Sequence, residues 1–467
     1  RYGPGGSGGT ILFERSLEPR KEGLSGEFAL GGGVNSLGLD SSALFRASSG
    51  SWYGMVSAEK AEAENYEDGD GKSVRSSFER SGHLLAVGYR INATDRLEFS
   101  LERTDTRDAL FPGAGMDAPM DRSDQYRLRY KARDIGPFDK VQLDWAKSDV
   151  SHLMDNYSLR AVGPMAIRVP STSDSEDFNV YTEWTGLEIN WRAGIQSRDN
   201  AKLAQRFAGM NPAMVTNLNS VLWPSVEIDQ VGFFVEGDKA LGEQTLLTAG
   251  IRRDKVDASA GLAGLVPMGM GAMSPNALYN AYYGTNANNE RNESNTGGLL
   301  RLTHDFNQNW TGFAGLSRTV RTADATERYL ASGSGVASSR WVGNPNIRPE
   351  IHKQMDAGIA FTQGKSSWDA VVFHDEVGDY ILRDRARGQA GVLLADGASI
   401  YRNVDAVLNG VELKYENVFF KQWAFAADAS LVRGQNETDA RPLAQIAPLF
   451  GSIAMDRKSD KLTYGAQ

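Results

Sequence analysis

Leu97-Glu-Phe-Ser-Leu-Glu102, Tyr126-Arg-Leu-Arg-Tyr-Lys131 and Val141-Gln-Leu-Asp-Trp145 alternate apolar and polar residues one for one. A period of two sends the two sets to opposite faces of a β-strand, one greasy and one charged. Working outward, the same rhythm predicts nineteen strands, at 26–33, 38–47, 51–60, 76–90, 95–106, 124–133, 139–150, 177–185, 188–198, 227–239, 243–256, 296–306, 309–320, 354–363, 366–383, 399–417, 422–433, 445–457 and 461–467. The gaps alternate as well. Short turns at Asn92-Ala-Thr-Asp95, Ile135-Gly-Pro-Phe138, Asn307-Gln-Asn309 and Gly364-Lys-Ser366 take turns with long connections at 61–75, 107–123, 151–176, 199–226, 257–295, 321–353, 384–398 and 434–444. A soluble sandwich also alternates, but it has no reason to put every long connection on one side. An outer-membrane barrel does, with lipid outside and a polar lumen inside. Trp52, Trp184, Trp191, Trp310, Trp368 and Trp423 lie within a few residues of short turns, where an amphipathic indole suits a membrane interface.

Composition permits this reading and excludes others. The 467 residues contain no apolar run of about 18, so membrane-spanning helices are excluded, while barrel strands need only every second position apolar. Cysteine is absent, which rules out a disulfide framework, and a net charge of −9 argues against nucleic acid as a partner. No zinc-protease helix motif, nucleophile elbow or phosphate-binding loop with its lysine occurs, so no enzyme is expected. Both ends read as cut: no signal peptide precedes Arg1, and Gln467 falls within a strand-like run.

Four stretches carry a resemblance to the TonB-dependent outer-membrane receptors. Arg1-Tyr-Gly-Pro-Gly-Gly-Ser-Gly-Gly-Thr-Ile-Leu-Phe-Glu-Arg15 is similar to the end of that family's plug. Arg321-Thr-Ala-Asp-Ala-Thr-Glu-Arg-Tyr329 is similar to its Arg-x-Pro-x-x-x-Glu segment, with Ala323 in place of the proline. Gly343-Asn-Pro-Asn-Ile-Arg-Pro-Glu350 resembles Gly-Asn-Pro-x-Leu-x-Pro-Glu, and Tyr401-Arg-Asn-Val-Asp-Ala-Val-Leu-Asn-Gly-Val-Glu412 resembles the family's Asn-to-Gly-x-Glu strand. Read physically, Pro345 and Pro349 would hold a loop as it re-enters the barrel, and Gly410 beside Glu412 suits a crowded lumen-facing position. The resemblance implies an all-β, transmembrane antiparallel barrel of the 22-stranded type, with about 19 strands present. Residues 1–21 would close an N-terminal plug and 22–467 form the barrel. It also implies an outer-membrane location among lipid and lipopolysaccharide, a monomer, and energising by a TonB-ExbB-ExbD complex through a segment upstream of Arg1.

Methionines point to the cargo. Met116, Met120, Met154, Met165, Met210, Met214, Met268, Met270 and Met273 all fall in the long connections, whereas core filling would place them in strands. Thioethers favour Cu(I) and, with imidazole, tolerate Cu(II). Met268-Gly-Met-Gly-Ala-Met273 gathers three sulfurs on a glycine backbone, and Met116-Asp-Ala-Pro-Met120 pairs two across a proline turn. In His152-Leu-Met154, residues i and i+2 of an extended segment point the same way and can share one ion. The sequence around these last two, and Leu222-Trp-Pro-Ser-Val-Glu227, resemble the copper-receptor branch of the family. There the barrel histidine and methionine complete a site whose other sulfur ligands belong to the plug. His352, near the external rim, is a further candidate; His83, His304 and His374 read as wall residues.

The expected function is active uptake of copper ions or a copper complex, with copper as cargo and no resident cofactor. A siderophore or other organic ligand, recognised by residues such as Tyr279, Tyr282, Tyr283 and Arg340, is the alternative. A passive porin-type barrel comes next, and a soluble all-β enzyme last.

Overall fold

The computed structural model describes residues 15, 17, 21–268, 272–287, 290–420, 422–459 and 462–466. Nineteen long strands follow one another along it. They begin with β1 (Gly23–Gly32), β2 (Leu37–Ser49), β3 (Trp52–Ala63), β4 (Phe78–Arg90), β5 (Arg96–Ala109), β6 (Asp117–Ile135) and β7 (Phe138–Asp155). Next come β8 (Ala166–Gly186), β9 (Ile189–Gly209), β10 (Asn217–Ala240), β11 (Thr245–Ala260), β12 (Arg291–Asn307) and β13 (Trp310–Arg321). The last are β14 (Glu350–Gln363), β15 (Ser366–Arg385), β16 (Ser399–Phe419), β17 (Trp423–Asn436), β18 (Phe450–Lys458) and β19 (Thr463–Ala466). Each pairs antiparallel with its neighbours in sequence, β1 with β2 alone and β19 with β18 alone among the described residues. The sheet holds 22 strands because three two-residue segments, Ala331–Ser332, Trp341–Val342 and Arg441–Pro442, join the nineteen.

All nineteen expected strands are present, yet those on the long-connection side run further than expected. β8 starts at Ala166 rather than 177, β9 continues to Gly209 rather than 198, and β10 starts at Asn217 rather than 227. Above the membrane both faces of a strand meet polar surroundings, so the ladder continues while the alternation that announces it in sequence disappears.

Register separates the two faces. Phe45, Val56, Leu85 and Leu101 lie level on β2–β5 and, with Phe99, form part of an exposed apolar surface. The opposite face carries ion pairs between neighbouring strands, among them Arg129–Asp144 and Arg192 with both Glu183 (3.0 Å) and Glu236 (2.7 Å). Leu17, from the chain ahead of β1, is buried against Tyr53, Met55, Leu84 and Ala86 on this polar side, which is therefore the lumen. All six turn-proximal tryptophans fall on the outward register; Trp184 stacks near Trp191, and Trp310 packs edge-on to Trp368. Gly410 is on the lumen register, and a Cβ there would meet the Phe373 ring at 2.1 Å.

The motif residues converge on one inward node. Arg321 donates to Glu350 (2.6 and 2.8 Å) and to Glu327 (2.9 and 3.0 Å). Asp324 and Glu327 cap helix α1 (Ala325–Tyr329), placing Glu327 for that pairing. A Cβ on Gly343 would meet the backbone of Tyr329 and Leu330 at 2.7 Å, so only glycine passes there. Pro345 offers its carbonyl to Arg291 at 2.8 Å, and Asn403 holds Arg348 and Asp379 through its amide. His352, also buried, bonds Asp375 through Nδ1 (2.7 Å) and Glu350 through Nε2 (3.2 Å). With both nitrogens occupied, it is a structural cation and joins no methionine.

The apolar outward band of β14 runs from Phe361 to Met355, and Lys353 marks its upper edge, so Glu350 and His352 lie at or above the membrane rim. Burial lowers the His352 pKa, but hydrogen bonds to Asp375 and Glu350 outweigh it and push the value up to about 9. Burial raises the Glu350 pKa, yet Arg321 and His352 hold it down to about 2. His352 binds its proton more tightly folded than unfolded, so its stabilisation is complete below about 6.5 and lost as pH rises through about 9. That of Glu350 is complete above about 4.5 and lost as pH falls through about 2. Thermal unfolding should therefore show a midpoint that declines between pH 6.5 and 9; His352→Gln should unfold at lower temperature and lose that part of the slope, and a parallel slope would refute the assignment. Gly410→Val should cost about 1–3 kcal/mol by overpacking, read as a lower unfolding temperature, with Phe373→Ala in the same chain recovering most of it.

Candidate functional site

The sequence-selected residues separate once register is known. β7 faces β6 with His152 opposite Asp121 and Leu153 opposite Met120. Paired residues share a side and neighbours along a strand do not. His152 and Met154 therefore point to the lumen side of the β7 tip, while Met120 points outward with Leu153 and Pro170. Met120 and Met154 lie within strands rather than connections, and Pro119, expected in a turn, sits in a register shift between Asp117 and Met120. Register is unbroken from Met120 to Arg133, so Met120, next to inward Asp121, faces away from any site containing His152.

Asp121 is a residue the sequence reading missed. Its Oδ2 lies 2.9 Å from His152 Nδ1, and a carboxylate accepts only, so Nδ1 carries the proton and the lone pair of the neutral ring is the one on Nε2. That tautomer suits metal ligation, with the carboxylate orienting the ring from behind. The only sequence signal was cross-strand position, which appears once pairing is known. The surrounding tip is held by Asp117, fully buried, which accepts from Arg75 (2.7 Å), Arg160 Nε (2.7 Å) and the Phe111 amide (3.2 Å). Burial raises the Asp117 pKa, but the Arg160 bond and the others outweigh it and hold the carboxyl below its usual value.

The glycine-spaced methionines divide too. Met268 is 69% exposed and its amide bonds the Leu218 carbonyl at 2.8 Å, placing it beside the connection that carries exposed Met210 and Met214. Met273 packs against an apolar cluster, and Met270 lies outside the described residues. Met116, half-buried, immediately precedes β6.

That cluster is a folded lobe. The described residues of the connections 261–290, 322–349 and 386–398 pack Leu278, Tyr279, Tyr282, Tyr329, Val342 and Val392 together against Val226, Ala258 and Ile400 of β10, β11 and β16. A helix at Pro275–Tyr283, capped by Ser274 and ended by Gly284 at φ 66°, supplies two of the tyrosines. Tyr282 donates to Asp396 (2.7 Å), Tyr283 to the Val342 carbonyl (2.9 Å), Tyr279 to the Tyr329 carbonyl, and Arg340 to the Ser334 carbonyl (2.9 Å). Of these expected contacts for an organic ligand, Tyr279 and Tyr282 are buried and Tyr283 and Arg340 half-buried, all bonded within the lobe.

Among the described residues no group of three or more His, Cys, Asp or Glu could hold a metal ion, so an ion at His152 and Met154 requires sulfur and further donors. No helix of the described residues is long and apolar enough to cross a membrane.

A family profile described as TonB dependent receptor-like, beta-barrel, matches residues 26–466. No curated protein sequence matches. Among solved structures, the chain is similar to that of copper transporter OprC, at 23% identity over 99% of this chain and 69% of that one, with a TM-score of 0.85. It is similar also to a double mutant of the Serratia marcescens hemophore receptor HasR in complex with its hemophore HasA and heme (14% identity, 96% and 73% covered, TM-score 0.73). The unliganded ferric citrate transporter FecA gives 12% identity, 100% and 68% covered, and a TM-score of 0.73. At these identities the structural likeness is one of fold. The profile match over nearly the whole chain, together with the nineteen-strand ladder, places this protein in the TonB-dependent receptors, outer-membrane transporters that work with TonB-ExbB-ExbD.

Proposed function

We propose that this receptor takes up copper, as the ion or a small complex, and that His152 and Met154 supply barrel ligands at its external mouth. The observation that carries the reading is their common inward side on the β7 tip, with Asp121 fixing the imidazole so that Nε2 faces an incoming ion. Imidazole with thioether is a donor pair suited to copper in either common oxidation state. The likeness to copper transporter OprC over 99% of the chain agrees with it. Met210, Met214 and Met268, 80%, 58% and 69% exposed, fill no core and offer soft donors on the same external side. An organic ligand is less well supported, since Tyr279 and Tyr282 are buried in the lobe and bonded within it.

Full-length protein, purified and loaded with copper, should retain the metal after desalting, and His152→Ala with Met154→Ala should abolish retention. Met120→Ala should leave it unchanged, because that side chain faces the other way. Asp121→Asn should weaken copper binding by about 10–100-fold through loss of the orienting carboxylate. Retention unaffected by the double substitution would remove the site, and no retention by the unaltered protein would remove copper as the cargo.

A further inference from the structure

The outward wall at β11–β15 contains an apolar trough of ≈ 730 Å³. Ala314 and Ala357 form its floor, while Leu316 and Met355, one step higher on the same two strands, stand as a ridge. A second hollow of ≈ 410 Å³ shares that ridge and reaches up to Arg318 and Lys353. The two hollows share Leu300, Leu316, Met355 and His374 and follow one another from hydrocarbon depth toward the charged rim on the long-connection side.

The rim is not uniform in charge. On β6–β10 its outward positions carry Asp124, Asp149, Asp174, Asp199 and Asp229 with Arg122 and Lys147 among them, Lys147 bonded to Asp149 at 3.2 Å, whereas directly above the trough Arg318 stands opposite Lys353 with no carboxylate between them. Two cations opposite each other repel. Arg318 bonds the Thr296 carbonyl, and Lys353 has no ion pair among the described residues; Glu376, its other neighbour, lies 3.8 Å from His374. Arg253, outward on β11, adds a third positive charge to the same arc. An apolar channel topped by paired cations fits a molecule with an acyl chain below and a phosphate above, the phosphate taking charge-assisted bonds from both cations.

We propose that this face holds one phosphorylated glycolipid of the lipid A type, with an acyl chain in the trough between Leu316 and Ala357 and a phosphate between Arg318 and Lys353. The external side of an outer membrane presents such lipids, and the long connections identify that side. The proposal stands apart from copper.

Native mass spectrometry of the full-length protein in detergent, titrated with diphosphoryl lipid A, tests it. One lipid should be retained per protein. Arg318→Glu with Lys353→Glu, and separately Ala314→Leu with Ala357→Leu, should each lower retention by at least about tenfold. Retention by either folded pair within about twofold of the unaltered protein overturns the proposal. Should a pair fail to fold, the unaltered protein still decides: dephosphorylated lipid A and phosphatidylglycerol should each bind about tenfold more weakly, and binding equal to that of diphosphoryl lipid A overturns it.

Discussion

Hydrocarbon offers a peptide group no hydrogen-bond partner, so a chain that crosses it as strands must pair every N–H and C=O with a neighbouring strand. The rest of this structure depends on that constraint. It explains why nineteen strands pair in unbroken sequence order, each with its neighbours along the chain. It also fixes sidedness, because an up-and-down ladder with short turns at one end leaves all elaborate connections at the other. The lobe built from residues 261–290, 322–349 and 386–398, the His152 tip and the charged rim all occupy that end.

The motif node answers a different requirement. Burying charges costs several kcal/mol each unless they are paired with good geometry. Arg321, Glu327, Glu350, His352 and Asp375 meet that condition by sharing partners across β13, β14, β15 and the intervening connection. Such a cluster ties a 28-residue connection to three strands at once, since Arg321 ends β13 and Glu350 begins β14. Replacing one member leaves a buried charge without its counter-charge. The stretches most recognisable in sequence are thus those whose residues depend on one another, and they report on the scaffold rather than on cargo.

Strands were legible where one face is greasy, because the period-two pattern records that difference directly. β8, β9 and β10 were underestimated by about ten residues each at the ends where both faces are wet. The site was half legible. His152 and Met154 could be placed on one side from spacing alone, while Met120 could not be removed without knowing that it pairs with outward Leu153. Asp121 stayed hidden because its relation to His152 is across strands. Tyr279, Tyr282 and Tyr283 looked like contacts for a ligand, since tyrosines in long connections usually meet solvent; a helix cap and the apolar residues of two other connections bury them instead.

Parity then decides which side chains can take part in transport. A strand shifted by one residue exchanges its two faces, so the same methionine is either a candidate ligand or a residue against the surrounding membrane. At the β6–β7 pair the register runs unbroken from the Ile135–Phe138 turn to Met120 opposite Leu153, and beyond it, past one extra residue, Asp117 is locked by Arg75, Arg160 and the Phe111 amide. Those bonds involve neither His152 nor Met154. They close the tip beyond the bulge, while the short turn at the other end sets the register that puts Asp121 behind His152 and turns Met120 away. The alignment of the inward donors therefore rests on the unbroken ladder below the tip, and Asp117, which touches none of them, ties the end of β6 to the connection after β7 through Arg160.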